Sequence, residues 1–275
     1  MRNITERQLQ ILEHLAEFKY LNSAQLMRLL GVKTLPHVNT LLNRLSDGNK
    51  PLTRFKDFGF YPGYGRLPRI HYLTPRGADF LADNLDYDRD RIKLTKERTP
   101  MFQRDYFHRV STIDFNIGLR QFCIENNFEK VFFDYYFDQV GSQRHGTGKA
   151  KNAIPVGDFQ IIPDGVGKIT DGTNETLFLF EQHNGKDSKR AVKQIYSHIK
   201  AIEEGAASLK YDYLKGVRVF YVFESEGCAS SVINELSKDA NLKPYEKFFL
   251  FSTNDLMGKN FNDWHTFSGE KKEFP

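Results

Sequence analysis

Two carboxylates on either side of a turn-forming segment are the residues of this chain best suited to chemistry. Asp164 follows Pro163 at the end of one apolar run, and Glu181 follows a second apolar run, Leu177–Phe180. The Gly-, Asp- and Asn-rich stretch between the runs predicts a β-hairpin. If the two runs pair antiparallel, Asp164 and Glu181 are neighbours at one end of the hairpin. Neighbouring carboxylates suit a hard divalent cation with a preference for oxygen ligands, so the pattern predicts a site for Mg²⁺ or Mn²⁺.

The alternative for this pair is purely structural, with Asp164 starting a turn and Glu181 ending a buried strand. A buried strand does not normally finish on a carboxylate unless that group reaches solvent, a cation or a hydrogen-bond partner. Two carboxylates brought together without a metal repel each other, and one of them keeps its proton. We therefore expect Asp164 and Glu181 to converge within the reach of one ion.

A helix is predicted directly after Glu181. Apolar residues at helical spacing face a core, at Val192, Ile195, Ile199 and Ile202. A second, mainly cationic stripe lies beside the apolar one, at Lys189, Lys193, Tyr196 and Lys200. Because it follows the carboxylate strand, the stripe predicts contacts with a phosphate backbone. An ordinary solvated lysine face is the alternative.

Residues 1–84 predict a winged helix-turn-helix. Thr5 fits a capping box for the first helix, and Asn22 repeats the start signal for the second. Thr34 can cap a third helix, in which Val38, Leu41, Leu42 and Leu45 form a core stripe. Two strands around a glycine-rich wing follow, and a further helix begins near Pro75.

The outer side of the third helix carries groups that can reach base edges or phosphates in a major groove: His37, Asn39, Thr40, Asn43 and Arg44. The wing adds Arg66 and Arg69. Any surface helix has a polar side, so a plain solvated surface is the alternative. The helices together with the wing favour binding of duplex DNA.

The rest of the chain predicts a charged linker over 85–101 and a second domain over 102–275. A long helix is expected from about Phe102 to Asn126, and strands at Val131–Phe137, Val217–Phe223 and Lys247–Phe251. With the hairpin, these elements predict an α/β sandwich around a mixed sheet. The basic loop 138–152, with Arg144 and His145, is expected either to lie over a nucleic-acid backbone or to have no role.

The order Pro163-Asp164, hairpin, Glu181 and helix resembles the core of PD-(D/E)XK nucleases, with a restriction-endonuclease-like fold. More closely, the chain resembles the replication-relaxation family of mobile-element proteins, to which the MOBC-type plasmid relaxases are similar. There, a Pro-Asp strand, a Glu strand and a Lys-x-x-Tyr helix occur together, here with Lys193 and Tyr196. The nuclease pattern expects a lysine where this chain has His183. Either Lys193 supplies the cation, or His183 takes its role, or the site is degenerate.

The resemblance implies a relaxase or nickase that cuts one DNA strand at a transfer or replication origin during plasmid mobilization and conjugation. Asp164 and Glu181 would hold the metal, and Lys193 or His183 would offset charge on the phosphate. Tyr196 is a candidate nucleophile or phosphate contact, so hydrolysis and a covalent intermediate both remain open. Implied partners are double-stranded DNA at an origin-like site, other relaxosome proteins and a coupling protein. The alternatives are a DNA-binding replication or transcription regulator with an inactive core, and an adaptor for protein partners.

The composition indicates a globular protein. Of 275 residues, 40% are hydrophobic and 27% charged, which is typical of a globular chain, and the net charge of +4 does not by itself indicate a nucleic-acid binder. No apolar run approaches membrane-spanning length and no signal-peptide pattern is seen, so membrane insertion is not expected and the cytoplasm is the expected location.

The two cysteines, Cys123 and Cys228, are expected to be buried free thiols. No phosphate-binding loop, dinucleotide fingerprint or paired-cysteine motif occurs, so neither nucleotide hydrolysis nor structural zinc is indicated.

Overall fold

A computed structural model describes residues 4–95, 105–141 and 148–274. The protein has the expected α+β fold with a mixed sheet. It divides into two compact units, Met1–Ile117 and Gly118–Pro275. The division falls inside a long helix, so the first part of that helix, which was expected to open the second domain, belongs to the N-terminal unit.

The N-terminal unit begins with three helices, α1 (Glu6–Phe18), α2 (Ser23–Leu30) and α3 (Leu35–Ser46). The predicted capping boxes of Thr5 and Asn22 are both present. Thr34 occupies the N-cap position of α3, but its side chain makes no capping hydrogen bond. The predicted core stripe of α3 is buried, which turns its polar side outward.

A small sheet and a hairpin follow the three helices. The strands are β1 (Leu21–Asn22), β2 (Thr53–Lys56) and β5 (Ile70–Leu73), in the order β1-β5-β2. Between β2 and β5 the chain forms the wing, in which β3 (Phe60–Tyr61) pairs with β4 (Gly65–Arg66). Helix α4 (Pro75–Leu85) is capped by Thr74. Helices, sheet and wing therefore occur in the order that the sequence predicts.

The described part of the predicted linker packs against the first unit. The Lys93 amide donates to the carbonyl of Ala16, and the Tyr20 hydroxyl donates to Thr95 at 2.8 Å. Ile92 is buried. The segment from Asp86 to Thr95 is thus bonded to α1 and to the residues just after it, while 96–104 lie outside the described residues.

The C-terminal unit is built on a seven-stranded sheet in the order β16-β15-β14-β13-β12-β11-β6. In chain order its strands are β6 (Glu129–Tyr135), β11 (Gly165–Thr170), β12 (Glu175–His183), β13 (Arg218–Phe223), β14 (Phe249–Thr253), β15 (Trp264–His265) and β16 (Lys271–Lys272). β6, β11 and β12 form an antiparallel meander, whereas β13 and β14 run parallel to β12. Short hairpins are formed by β7 (Gln139–Val140) with β8 (Lys149–Ala150), and by β9 (Ile154–Val156) with β10 (Phe159–Ile161).

Helices complete the unit. α5 spans Tyr106–Glu125 and belongs to this unit from Gly118 onward. α6 (Ser188–Glu203) connects β12 to the parallel strand β13, with α7 (Ala206–Tyr211) after it. α8 (Glu226–Leu236) and a 3₁₀ helix (Ala240–Phe248) link β13 to β14, and α9 (Asn254–Lys259) follows β14. The apolar residues of α6 and α8 share one core with Leu177 and Leu179 of β12. On the other sheet face, Phe178 packs against Phe220.

Three details of the sheet differ from the sequence-based predictions. Asp164 precedes its strand instead of ending one, because Ile161 ends β10 and pairing with β12 starts at Gly165. Glu181 does not end its strand, because parallel pairing with β13 extends β12 to His183. Trp264 is not in a covering tail but in β15, which pairs with β14.

Candidate functional site

The register of the central strands brings the two predicted carboxylates together. β11 and β12 pair antiparallel from Gly165 opposite Phe180, so Asp164, directly before β11, lies beside Glu181. The Oδ2 atom of Asp164 accepts the amide of Gln182 at 2.8 Å. Burial raises the pKa of the Glu181 carboxyl, and the Asp164 carboxylate is close enough to raise it further by its charge. The two carboxylates therefore lie at neighbouring positions across the hairpin, although both predicted positions within the strands were wrong.

The backbone carbonyls of Pro163 and Asp164 each accept a hydrogen bond from another segment of the chain. The side chain of Asn152, itself fully buried, donates from Nδ2 to the carbonyl of Pro163 at 2.5 Å. The backbone amide of Tyr136 donates to the Asp164 carbonyl at 3.1 Å. Two separate segments thus fix the backbone of Pro163 and Asp164 at the edge of the meander.

Glu181 is deeply buried beneath α6, with 2% of its surface exposed. Its Oε1 atom lies 2.6 Å from Nε2 of His198, which is 1% exposed. No described residue donates to its Oε2 atom within hydrogen-bond distance, although the nearby Gln194 side chain lowers the pKa of the carboxyl. A bond between this carboxyl and that of Asp164 requires a proton on one of the two, because an ionised carboxylate only accepts.

Burial sets the protonation of this cluster. It raises the pKa of Glu181 well above the usual 4.5, and the neighbouring charge of Asp164 raises it further. Burial also lowers the pKa of His198 to about 4. The contact between them at neutral pH is consequently a hydrogen bond between the Glu181 carboxyl and a neutral imidazole, and not an ion pair. Tyr221, which lies opposite Glu181 on β13, has a pKa raised by burial and then by both carboxylates.

Sequence analysis missed His198 and Tyr221. His198 falls within the apolar spacing of α6, three residues after Ile195 and four before Ile202, where a polar residue signals a buried partner. Its Nδ1 atom and the Tyr221 hydroxyl are buried without hydrogen-bond partners among the described residues. Three orphaned polar atoms, including Glu181 Oε2, therefore belong to side chains clustered under α6.

The cationic stripe of α6 lies on the wrong side of the helix to border the carboxylates. Lys193 and Lys189 are exposed, whereas His198 reaches inward to Glu181. Tyr196 and Lys200 are each two residues from His198, a rotation of about 200° around the helix. Lys200 instead lies 3.8 Å from Asp158, beside the β9–β10 hairpin. The helical phase thus separates the stripe from the pair that it was predicted to flank.

The other two proposed catalytic side chains have different surroundings. Tyr196 is 45% exposed and donates to Asp239 at 3.0 Å, and this bond raises the pKa of the phenol. His183 is buried near Phe223, with ring centroids 5.6 Å apart, on the same face of β12 as Glu181. On α5, Asp114 is bonded to Arg28 and Gln25 within the first unit.

The donor set at the pair fits a hard cation. Both groups are carboxylates, Asp164 is half-buried, and Glu181 Oε2 is an acceptor with no donor in the described chain. No cluster of three or more His, Cys, Asp or Glu suited to a metal occurs in the residues that the structure describes. Mg²⁺ keeps several waters and commonly binds through one or two carboxylates, so two ligands suffice for it.

The predicted DNA-reading residues of α3 share one exposed side of the helix: His37, Asn39, Thr40, Asn43 and Arg44. Three of them line a surface depression of about 410 Å³ together with Ser46 and Asp47. Arg66 and Arg69 of the wing are both bonded to Asp57, at 2.5 and 3.2 Å. The Gly59 amide and these two arginines lower the pKa of Asp57 to about 2, so it remains charged.

Comparisons with protein-family models, curated proteins and solved structures found no match to this chain. No helix within the described ranges is both long and apolar enough to cross a membrane.

Proposed function

We propose that this chain is a DNA-processing protein of a plasmid or other mobile element, which cuts one strand at an origin-like site. The observation that supports it best is the convergence of Asp164 and Glu181 at neighbouring positions of β11 and β12. Pro163-Asp164, the β11–β12 hairpin, Glu181 and α6 follow one another as in the resemblance to PD-(D/E)XK nucleases, which supports the proposal. The exposed polar side of α3 supplies the duplex-reading surface.

Asp164 and Glu181 would hold Mg²⁺ or Mn²⁺. When bound, such an ion polarises a scissile phosphate and activates water. His198 keeps Glu181 oriented by bonding Oε1, which leaves Oε2 for the cation. The Gln182 amide orients the Asp164 carboxyl in the same way. Tyr196 is bonded to Asp239 on another flank of α6, so water and not tyrosine would be the nucleophile.

Incubation of supercoiled plasmid with the protein and Mn²⁺ or Mg²⁺ tests this function. We expect conversion to open circles that requires the metal and is lost in Asp164→Asn and Glu181→Gln. Asn at position 164 keeps an oxygen that accepts the Gln182 amide, and Gln at position 181 keeps a group that bonds His198. Both substitutions are therefore expected to preserve the fold. Nicking that persists in both variants contradicts the assignment of the site.

A second candidate is a DNA-binding replication or transcription regulator without nuclease activity. It is favoured by the burial of Glu181, whose raised pKa lets the carboxyl pair share a proton without a metal. This candidate predicts retardation of duplex DNA, weakened by Arg44→Ala, with no nicking in any divalent metal.

A further inference from the structure

Three aromatic side chains are exposed on the wing. Phe60 is 80% exposed, Tyr64 63% and Tyr61 49%. They lie on or between β3 and β4, within five residues of one another. Burial of a large apolar side chain typically contributes about 1.5–3 kcal/mol. Three aromatic rings exposed on one hairpin indicate a binding surface for a ligand or partner.

The wing holds these rings in defined positions. Tyr64 donates its amide to the Tyr61 carbonyl at 3.1 Å, closing a turn in which Gly63 has a φ of 79°. The Tyr61 and Tyr64 rings contact each other and Phe107 of α5, with Tyr64 and Phe107 centroids 4.4 Å apart. Phe60 precedes Tyr61 on the same strand, so its side chain points to the other face of the hairpin. Two rings thus support the tip, while Phe60 projects from it.

The charge around the rings favours a polyanion. Between Thr53 and Ile70 the chain carries four basic side chains, Arg54, Lys56, Arg66 and Arg69, and one acid, Asp57. Asp57 bonds two of the arginines and so orients them along the wing. Aromatic rings interleaved with basic side chains are the combination that binds unpaired nucleic-acid strands, because rings stack on bases while cations contact phosphates.

We infer that the wing tip stacks on unpaired bases, with Phe60 as the main stacking ring. The protein then recognises DNA in which a duplex adjoins a locally opened strand. This inference rests on the proposed duplex binding by α3 and adds the kind of DNA that the wing selects. An inserted aromatic ring stabilises an unstacked base step, which a fully paired duplex opens only at a cost.

Two DNAs of the same length test the stacking inference, and one strand has the same sequence in both. One DNA is fully paired, and the other has a three-nucleotide bubble that contains 2-aminopurine. Affinity is measured by fluorescence anisotropy, and stacking by quenching of the 2-aminopurine. We expect tighter binding to the bubble, with quenching. Phe60→Ala is expected to weaken bubble binding by about 5- to 150-fold, the change that corresponds to one base stack of about 1–3 kcal/mol, and to abolish the quenching.

The variants separate stacking from other effects. Phe60→Trp keeps a stacking ring and is expected to retain the bubble preference. Leu214→Ala removes a fully exposed apolar side chain of the C-terminal unit and is expected to change nothing. Equal weakening of both DNAs by Phe60→Ala, without loss of quenching, overturns base stacking.

Failure of the inference and failure of the proposed function give different results. If the wild-type protein binds both DNAs equally and Arg44→Ala weakens both, duplex reading by α3 stands and the wing inference is wrong. If the protein binds neither DNA, both are wrong. If Phe60→Ala instead abolishes binding to another protein and leaves both DNA affinities unchanged, the wing is a protein-docking surface and the inference is overturned.

Discussion

At the scale of single residues, the carboxyl of Glu181 determines how the candidate site behaves without a metal. It is buried next to Asp164, and its free oxygen has no donor in the described chain. A carboxyl whose pKa is raised on folding stabilises the fold fully only below its ordinary pKa of about 4.5, and that stability is lost as the pH rises through the folded value. The buried carboxyl therefore lowers the free energy of unfolding increasingly as the pH rises above about 4.5.

Glu181→Gln is expected to raise the thermal stability of the C-terminal unit at pH 8 in EDTA, and to change it little near pH 4.5. Each kcal/mol of relieved repulsion corresponds to roughly 2–4 °C. Trp264, the single tryptophan, is fully buried in this unit and reports its unfolding by fluorescence. A variant that melts together with the wild type at pH 8 would mean that Glu181 is not held ionised at a cost.

At the scale of elements, β11 allows close packing on the sheet face opposite Glu181 because it contains two glycines. A Cβ on Gly167 would lie 2.3 Å from Cζ of Phe178, and one on Gly165 equally close to Cζ of Phe133. Phe178 is fully buried and Phe133 is 4% exposed, so neither ring can move to solvent. The rings of neighbouring strands occupy the space that side chains of β11 would fill.

We expect Gly167→Ala to destabilise the C-terminal unit by about 1–3 kcal/mol, since overpacking forces rings and backbone to shift. The measurement is the urea midpoint followed by Trp264 fluorescence. Gly227→Ala in α8 is the matched control, because no atom lies within 4 Å of its added Cβ and alanine favours a helix. Equal midpoints for Gly167→Ala and the wild type would contradict the packing of β11.

A second element, β5, makes the stability of the N-terminal unit depend on pH. His71 lies opposite Phe55 of β2, is 5% exposed, and has a pKa lowered to about 4 by burial and then by Arg69. Its ordinary value is 6.5, so the fold is favoured above pH 6.5 and loses stability as the pH falls toward 4. The slope is about 1.4 kcal/mol per pH unit for one group.

Hydrogen exchange of the β2 and β5 amides, corrected for intrinsic rates, measures this effect in the full chain. Protection is expected to fall between pH 6.5 and 4.5 in the wild type, and to fall less in His71→Gln. His37→Gln changes an exposed histidine of α3 and serves as the control. The same loss of protection in all three proteins would assign the pH dependence to other groups.

At the scale of the whole molecule, the two compact units predict separable defects. Arg44→Ala is expected to weaken duplex binding by about 1–3 kcal/mol and to leave the Mn²⁺-induced rise in the melting temperature of the C-terminal unit unchanged. Asp164→Asn is expected to remove that rise and to keep duplex affinity. Arg91→Ala removes an arginine whose side chain is 88% exposed and is the control for loss of charge. A variant that loses both properties would contradict the separation.

Local signals were sufficient for much of the fold. The capping boxes of Thr5 and Asn22, the core stripe of α3 and the apolar stripe of α6 were predicted correctly, because each depends on residues within a few turns of one another. The hairpin between β11 and β12, and hence the meeting of Asp164 with Glu181, was also predicted from the turn and its flanking runs.

Only the tertiary structure decided how the pair is surrounded. Parallel pairing with β13, some forty residues later in the chain, extends β12 past Glu181 and places Tyr221 beside it. The rotation of α6 on the sheet brings His198 to Glu181 and turns Lys193 to solvent. Such contacts depend on which strands become neighbours and on how a helix packs across them. Residue type and spacing therefore identified the two carboxylates, whereas packing between distant segments determined their burial, their partners and their protonation.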